Sequence, residues 1–119
     1  MSELRTDTDL VPVARKDGDA LLATVRGEID LHNSPELRTA LLDLISRTSP
    51  KKLILNLSQV PYMDSSAIAV LVEMLQKLRR AGGKICLTNL QPRVKSLLEI
   101  ARLDSIFILV PTEEEALKK

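Results

Sequence analysis

Three adjacent polar residues, Asp64, Ser65 and Ser66, form the part of the chain with the most distinctive chemistry. They follow the apolar pattern LILNL and precede the pattern AIAVLVEML, so they should form the turn into a helix and its first residues. A helix start offers unpaired backbone N–H groups and a partial positive charge, which suits a phosphate carried on a serine. The same residue types are also preferred as helix N-caps. On chemistry alone, capping is the simpler interpretation.

Signatures of catalysis and of metal or nucleotide binding are missing from the sequence. The pair Gly82-Gly83 precedes a strand pattern instead of opening a helix, which is the wrong setting for a phosphate-binding loop. His32 is the single histidine, beside polar Asn33, and we expect it to be an exposed loop residue. Cys86 lies between apolar neighbours in a strand pattern, where a buried thiol is the usual outcome. The sequence therefore predicts no enzyme, no metal site and no cofactor.

The composition limits the class of protein. The chain has 119 residues, of which 45% are hydrophobic and 28% charged, so we expect a single domain over residues 1–119. The net charge of +1 is spread along the chain, so direct nucleic-acid binding is not expected. Because no apolar run approaches the roughly 20 residues of a membrane span, and no signal sequence is visible, we expect a cytoplasmic protein without membrane insertion. Residues 1–10 are polar and should either fray or begin an edge strand.

Hydrophobic periodicity supplies the elements around the Asp64 turn. Strand patterns cover residues 11–15 and 20–27, which should pair as a hairpin, and then LILNL, KICLTNL and IFILV. The first helix should begin with Ser34 as N-cap and Pro35 at the first helical position. The second should run from about residue 65 to 80 and end at the glycine pair. A third covers QPRVKSLLEIARL with Ala101 on its inner face, and Thr112 should cap a short fourth helix.

This order predicts an α/β domain with a mixed, mostly parallel sheet of about five strands and about four helices. In such sheets, functional residues collect in the loops that follow the carboxyl ends of the strands. Asp30, Asp64 with Ser65, and Asn89 all occupy loops of that kind. We therefore expect the candidate site at this edge of the sheet.

The segment LILNLSQVPYMDSSAIAVLVEML resembles the signature of the STAS domain family, most closely that of bacterial anti-sigma factor antagonists. In that family the strand ends in Asp-Ser-Ser-Gly or a close variant at a helix start. GEIDLHNSPELRTAL is similar to the Gly-Glu-Leu-Asp element that precedes the family's first helix. AGGKICLTNLQPRVKSLLEIARLDSIFILVPTEEEAL is similar to its C-terminal half. The resemblance covers nearly the whole chain in the expected order.

The resemblance implies a protein switch. In anti-sigma factor antagonists, the serine directly after the Asp is phosphorylated by an anti-sigma factor that is itself a serine kinase, and Ser65 holds that position here. The unmodified antagonist binds the anti-sigma factor and frees the sigma factor, phosphorylation ends the binding, and a PP2C-type phosphatase restores it. ATP and metal would belong to those partners. The resemblance places partner contacts at Asp30, Asp64, Ser65, Ser66 and Ala67.

Two alternatives remain at the level of sequence. Ala67 stands where the family usually has Gly, and its methyl would lie at the docking surface; STAS proteins that bind partners without phosphorylation, such as subunits of transporter or lipid-transport complexes, are therefore a second hypothesis. A response-regulator receiver has similar size and alternation. The sequence argues against it, because the corresponding strand offers Asn56 and Ser58 instead of an acceptor Asp.

Overall fold

One six-stranded sheet organises the computed structural model, which describes residues 2–119. Strands lie side by side in chain order; the first three are antiparallel neighbours and the last four are parallel neighbours. Their bounds are β1 Ser2–Leu4, β2 Val13–Asp17, β3 Ala20–Arg26, β4 Lys52–Gln59, β5 Lys84–Thr88 and β6 Ile108–Val110. The mixed, mostly parallel α/β fold and the β2–β3 hairpin are thus confirmed.

The sheet has six strands where the sequence indicated about five. The additional strand is β1, which pairs with β2 through the register Ser2↔Lys16 to Leu4↔Ala14. Its three residues are only partly buried or exposed, so no apolar alternation announces it. Backbone pairing with β2 forms the strand. Of the two alternatives for residues 1–10, fraying or an edge strand, the edge strand is the one observed for residues 2–4. Met1 lies outside the described residues.

Four helices connect or follow the parallel strands: α1 Ser34–Thr48, α2 Ser65–Arg80, α3 Pro92–Ile100 and α4 Glu113–Leu117. Since β3 to β6 are successive neighbours, right-handed crossovers place α1, α2 and α3 on the same face of the sheet. The short α4 follows β6 and contacts β4, β5 and β6. No helix in residues 2–119 is both long enough and apolar enough to cross a bilayer.

Burial on both faces of β4 follows from its alternating side chains. Leu53, Leu55 and Leu57 belong to the large core beneath α1, α2 and α3, whereas Ile54 joins a smaller cluster beneath α4. Cys86 of β5 lies in that smaller cluster, and burial raises the pKa of its thiol. The expectation of a buried thiol is confirmed. The α2 residues on the core side are also buried, as the periodicity predicted: Leu71, Met74, Leu75 and Leu78.

Helix ends follow the sequence closely at α2 and at the start of α4, where the predicted cap Thr112 accepts the N–H of Glu115 at 3.2 Å, and less closely at α1 and α3. Gly82 ends α2 with a left-handed φ of 78°, and Gly83 donates its N–H to Leu78 O at 2.7 Å. Gly83 is required for space, because a Cβ there would lie 2.6 Å from Lys51 O. The expected N-cap Ser34 is wrong: Asn33 occupies the cap and Ser34 is helical. Ala101 is exposed, not inward, because α3 ends at Ile100.

Candidate functional site

Two loops meet where the carboxyl ends of β3 and β4 lie side by side. Ile29 donates its N–H to Tyr62 O at 3.1 Å and accepts the N–H of Asp64 at the same distance. The N–H of Leu31 donates to Asp64 Oδ2 at 3.1 Å. These three hydrogen bonds join the segment that carries Asp30 to the segment that carries Asp64. The structure thus brings together the two predicted loops.

Asp64 is the N-cap of α2 and fixes the turn that precedes it. Its backbone is extended, with φ −104° and ψ −173°, and its Oδ1 accepts the N–H groups of Ser66 at 2.9 Å and Ala67 at 3.3 Å. The Ser66 hydroxyl donates to the same oxygen at 2.5 Å. The hydrogen bond from the Ser66 hydroxyl is the largest cause that lowers the pKa of the Asp64 carboxyl, and the backbone N–H groups of Ser66, Ala67 and Leu31 lower it further. Partial desolvation of the carboxyl acts in the opposite direction. Asp64 is therefore an ionised, well-bonded carboxylate at neutral pH.

Ser65 is the first helical residue of α2, and its side chain is exposed. Within residues 2–119 its hydroxyl forms no hydrogen bond, whereas the hydroxyl of Ser66 is bonded to Asp64. The two serines therefore differ: Ser66 is part of the turn, and Ser65 presents an unused nucleophilic oxygen to solvent. One expectation needs correction. Since Asp64 already accepts two N–H groups of the first turn, the helix start offers a phosphate fewer donors than the sequence suggested.

Ala67 lies beneath this turn and not on its surface. It has no exposed surface and belongs to the large core. The methyl group that the sequence placed at the docking surface is therefore directed into the protein. Ala67 supports the first turn of α2 from below and contributes no side-chain surface that a partner could touch in this conformation.

Asp30 forms the second loop of the site. Its N–H donates to Asn33 Oδ1 at 2.8 Å, and its own Oδ1 accepts the N–H of His32 at 2.9 Å. The Asp30 side chain is 48% exposed and that of His32 is 95% exposed. The expected exposed loop histidine is confirmed. Asp30 therefore offers one carboxylate to solvent beside the Ser65 turn.

The remaining predicted loop residue, Asn89, follows β5 with a left-handed φ of 56°. The side-chain amide of Gln91, in the same loop, donates to Ser58 O at 2.7 Å, so this loop is held against the carboxyl end of β4. In the described part of the chain, no three His, Cys, Asp or Glu residues are placed to hold a metal ion. The site thus combines carboxylates and hydroxyls on loops that hydrogen bonds join to each other.

Two exposed residues beside the turn were missed by the sequence reasoning. Leu31 is 72% exposed, although its N–H is held by Asp64, and Tyr62 is 37% exposed with the guanidinium of Arg93 over its ring. The scarcity of aromatic residues was a usable signal for Tyr62, which is the only tyrosine. Nothing in the sequence marks Leu31, since its exposure depends on how the two loops pack.

Comparison with known proteins decides the family. The model of the STAS domain family matches residues 11–116. The chain belongs to the STAS domain family. Among curated relatives, the anti-sigma-B factor antagonist of Bacillus subtilis is 31% identical over 96 residues, which are 81% of this chain and 85% of the relative.

Relatives of a second kind also match. A candidate sulfate transporter of Bacillus subtilis, YvdB, is 33% identical over 92 residues, which are 77% of this chain but only 17% of the transporter.

Among solved structures, an anti-sigma factor antagonist from Mycobacterium paratuberculosis superposes with a TM-score of 0.79 at 27% identity, covering 88% of each chain. This STAS domain is thus similar in sequence and in fold over most of its length to proteins named as anti-sigma factor antagonists.

Proposed function

We propose that this STAS domain is an anti-sigma factor antagonist whose partner binding is controlled by phosphorylation of Ser65. The unmodified chain binds an anti-sigma factor that is a serine kinase, phosphorylation releases it, and a PP2C-type phosphatase restores binding. The observation that carries the proposal is the exposed, unbonded hydroxyl of Ser65 directly after the bonded carboxylate of Asp64. A kinase can reach this oxygen without unfolding the turn.

The geometry supports control of binding and not of folding. A phosphate on Ser65 would add about 1.5 to 2 negative charges beside the ionised Asp64. In the free chain water solvates this charge, whereas a partner lying over the turn would have to desolvate it. Two like charges about 4 Å apart repel by roughly 4 kcal/mol at a surface-type effective dielectric. After screening and the favourable helix dipole, a coupling of about 1–3 kcal/mol would weaken binding about 5–150-fold.

The proposed contact set is Asp30, Asp64, Ser65 and Ser66, with Ala67 as the buried support of the turn. The two acidic residues come from loops that hydrogen bonds hold together, so a partner meets a preorganised surface. The role requires no catalytic residue in this chain, because ATP and metal ions would be supplied by the kinase and the phosphatase.

The affinity of variants for the purified anti-sigma kinase tests this proposal. Ser65→Asp should bind at least about 5-fold more weakly than Ser65→Ala, which keeps the turn without the charge. Ser46→Asp is the matched control. Ser46 is an exposed serine near the C-terminal end of α1, whereas the Ser65 turn lies beside the N-terminal end of that helix. Equal affinities for all three variants would contradict charge control at Ser65.

The similarity to YvdB favours a second candidate function, a constitutive STAS binding subunit of a transporter or lipid-transport complex. In that case Ser65→Asp and Ser65→Ala would bind the complex equally well. Gene neighbours separate the two functions: a kinase, sigma factor or phosphatase gene favours the switch, and transporter genes favour the subunit.

A further inference from the structure

A shallow groove of about 330 Å³ lies between the end of the β4–α2 loop and helix α3. It is lined by Tyr62, Pro92, Arg93, Ser96, Leu97 and Ile100. Apart from the Ser96 hydroxyl and the Tyr62 and Arg93 head groups, this lining is hydrocarbon. The groove begins at Tyr62, two residues before the Asp64 cap, so it borders the proposed switch surface.

Exposed apolar side chains concentrate around this part of the molecule. Within residues 2–119, four large hydrophobic residues are notably exposed: Val13, Leu31, Tyr62 and Ile100. Tyr62 and Ile100, which is 81% exposed, both line the groove, and Leu31 lies beside the Ser65 turn. A single exposed apolar residue is ordinary, whereas adjacent ones next to a functional site mark a contact surface.

The charge of the groove is also distinctive. Its only charged lining residue is Arg93, whose guanidinium lies 4.8 Å from the centroid of the Tyr62 ring. Arg93 has no carboxylate partner in the part of the chain that the structure describes. The other side of the Ser65 turn carries acidic Glu28 and Asp30. The groove therefore complements an apolar side chain accompanied by a negative charge.

The surface of the Ser65 turn is too small to form a protein interface by itself, so a partner must also contact the surface around the turn. A specific protein interface covers about 800 Å² on each partner, which corresponds to roughly 20–30 residues. Four contact residues on two loops cannot supply this area. The backbone of Tyr62 is tied to the Asp30 loop, because its carbonyl accepts the N–H of Ile29, and its side chain lines the groove together with residues of α3. A partner that covers Ser65 thus meets the groove next.

We propose that the anti-sigma partner extends from the Ser65 turn into this groove, where it places an apolar side chain between Tyr62 and Ile100 and a carboxylate against Arg93. This inference rests on the proposed function and deepens it by naming the chemistry of the partner segment. Tyr and Arg are the residue types that most often dominate interface energies, and here they are stacked on each other. Arg93 and Ile100 select the partner, and Ser65 controls its release.

The test measures the affinity of the unphosphorylated chain for the purified anti-sigma kinase. Arg93→Glu and Ile100→Ser should each weaken binding about 10-fold or more, while Arg93→Lys, which keeps the charge, should retain most of the affinity. Val13→Ser is the control, because Val13 is exposed on the opposite face of the sheet and should bind as the wild type does. All four residue changes lie at exposed positions, and circular dichroism and urea unfolding verify their folding.

The outcomes separate the inference from the proposed function. If the wild type binds and is weakened by Ser65→Asp but not by Arg93→Glu or Ile100→Ser, the groove inference is wrong and the switch stands. If Val13→Ser weakens binding as much as Ile100→Ser, the inference is also wrong, because the effect is not local. If the wild type does not bind the kinase, the proposed function and the inference fail together.

Discussion

The starts of α1 and α2 lie beside each other and have the same residue types, yet they present different chemistry. Each has an Asp in the preceding turn and a Ser as its first helical residue: Asp30 with Ser34, and Asp64 with Ser65. Ser34 is only 4% exposed, whereas Ser65 is exposed. Asp64 caps α2 with its side chain, while the cap residue of α1, Asn33, makes no such bond. Exposure, and not residue type, distinguishes the candidate phosphoacceptor.

The largest expected effect comes from placing a negative charge at each serine. Ser34→Asp should reduce the free energy of unfolding by more than about 2 kcal/mol, because it buries a charge. Ser65→Asp should change it by less than about 0.5 kcal/mol, because the new carboxylate stays in water. Urea unfolding of the two variants measures this difference. Similar losses in both would mean that the two starts do not differ in accessibility.

The next effect concerns the side-chain hydrogen bonds that stabilise the turns before α1 and α2. Asn33→Ala removes the acceptor for Asp30 N–H and the donor to Glu28 O, at 2.8 and 2.9 Å, and should cost about 1–2 kcal/mol at every pH. Asp64→Asn should also destabilise the fold, but only where Asp64 is ionised. Thermal unfolding of both variants from pH 7 to pH 2.5 measures the contrast.

The sign of this pH dependence follows from the lowered pKa of Asp64. A carboxyl with a lower pKa in the folded state contributes stability above its unfolded pKa and loses it as the pH falls through the folded pKa. The wild type should therefore lose part of its stability below about pH 4. The Asp64→Asn variant lacks that contribution, so its difference from the wild type should shrink in acid. A difference that stays constant with pH would contradict the role of Asp64 as an ionised cap.

These two helix starts also show which helix boundaries the sequence could predict and which it could not. The bounds of α2 and its cap followed from Asp-Ser-Ser before an apolar stripe, because the signals for the N-terminus and the C-terminus are local. The predicted N-cap of α1 was one residue too late, because Asn33 and not Ser34 occupies the cap position. The side chain of Asn33 is hydrogen-bonded to the backbone of Asp30 and Glu28. Local preference could not choose between two adjacent polar residues whose roles depend on the loop.

Burial was the property that local patterns could not supply at the site. Ala67 was placed at the docking surface because it stands where the family usually has Gly, but its position on the helix directs its methyl into the core. The sequence left residues 1–10 open between fraying and an edge strand, because β1 has no apolar pattern and forms through backbone pairing. The link between Leu31 and Asp64 joins residues 33 positions apart, so only the folded sheet reveals it.

A smaller effect should come from the residue beneath the turn. Ala67→Gly restores the residue that the family usually has and should destabilise the fold by about 1 kcal/mol, because glycine is the poorer helix former. Its affinity for the anti-sigma kinase should equal that of the wild type, since the methyl is buried. Chemical unfolding and a binding titration measure the two quantities. A changed affinity with unchanged stability would show that Ala67 reaches the partner after all.

The smallest expected effect is confined to one hydrogen bond. Ser66→Ala removes the hydroxyl that donates to Asp64 Oδ1, so the pKa of the Asp64 carboxyl should rise toward its ordinary value. The backbone donors remain, so the turn itself should persist. An NMR titration of the Asp64 side chain measures the pKa, with Ser65→Ala as the matched control that should leave it unchanged. If both variants shift the pKa equally, the two serines do not have the separate roles assigned to them.

Mapping the phosphate after reaction with the anti-sigma kinase and ATP tests the central claim most directly. The unmodified chain is incubated with the kinase, digested and analysed by mass spectrometry, with Ser65→Ala in parallel. We expect one phosphate, on Ser65, and none on the Ser65→Ala variant. Phosphate on Ser66 or Ser34, or no transfer by any serine kinase encoded beside this chain, would contradict the assignment of Ser65 as the switch.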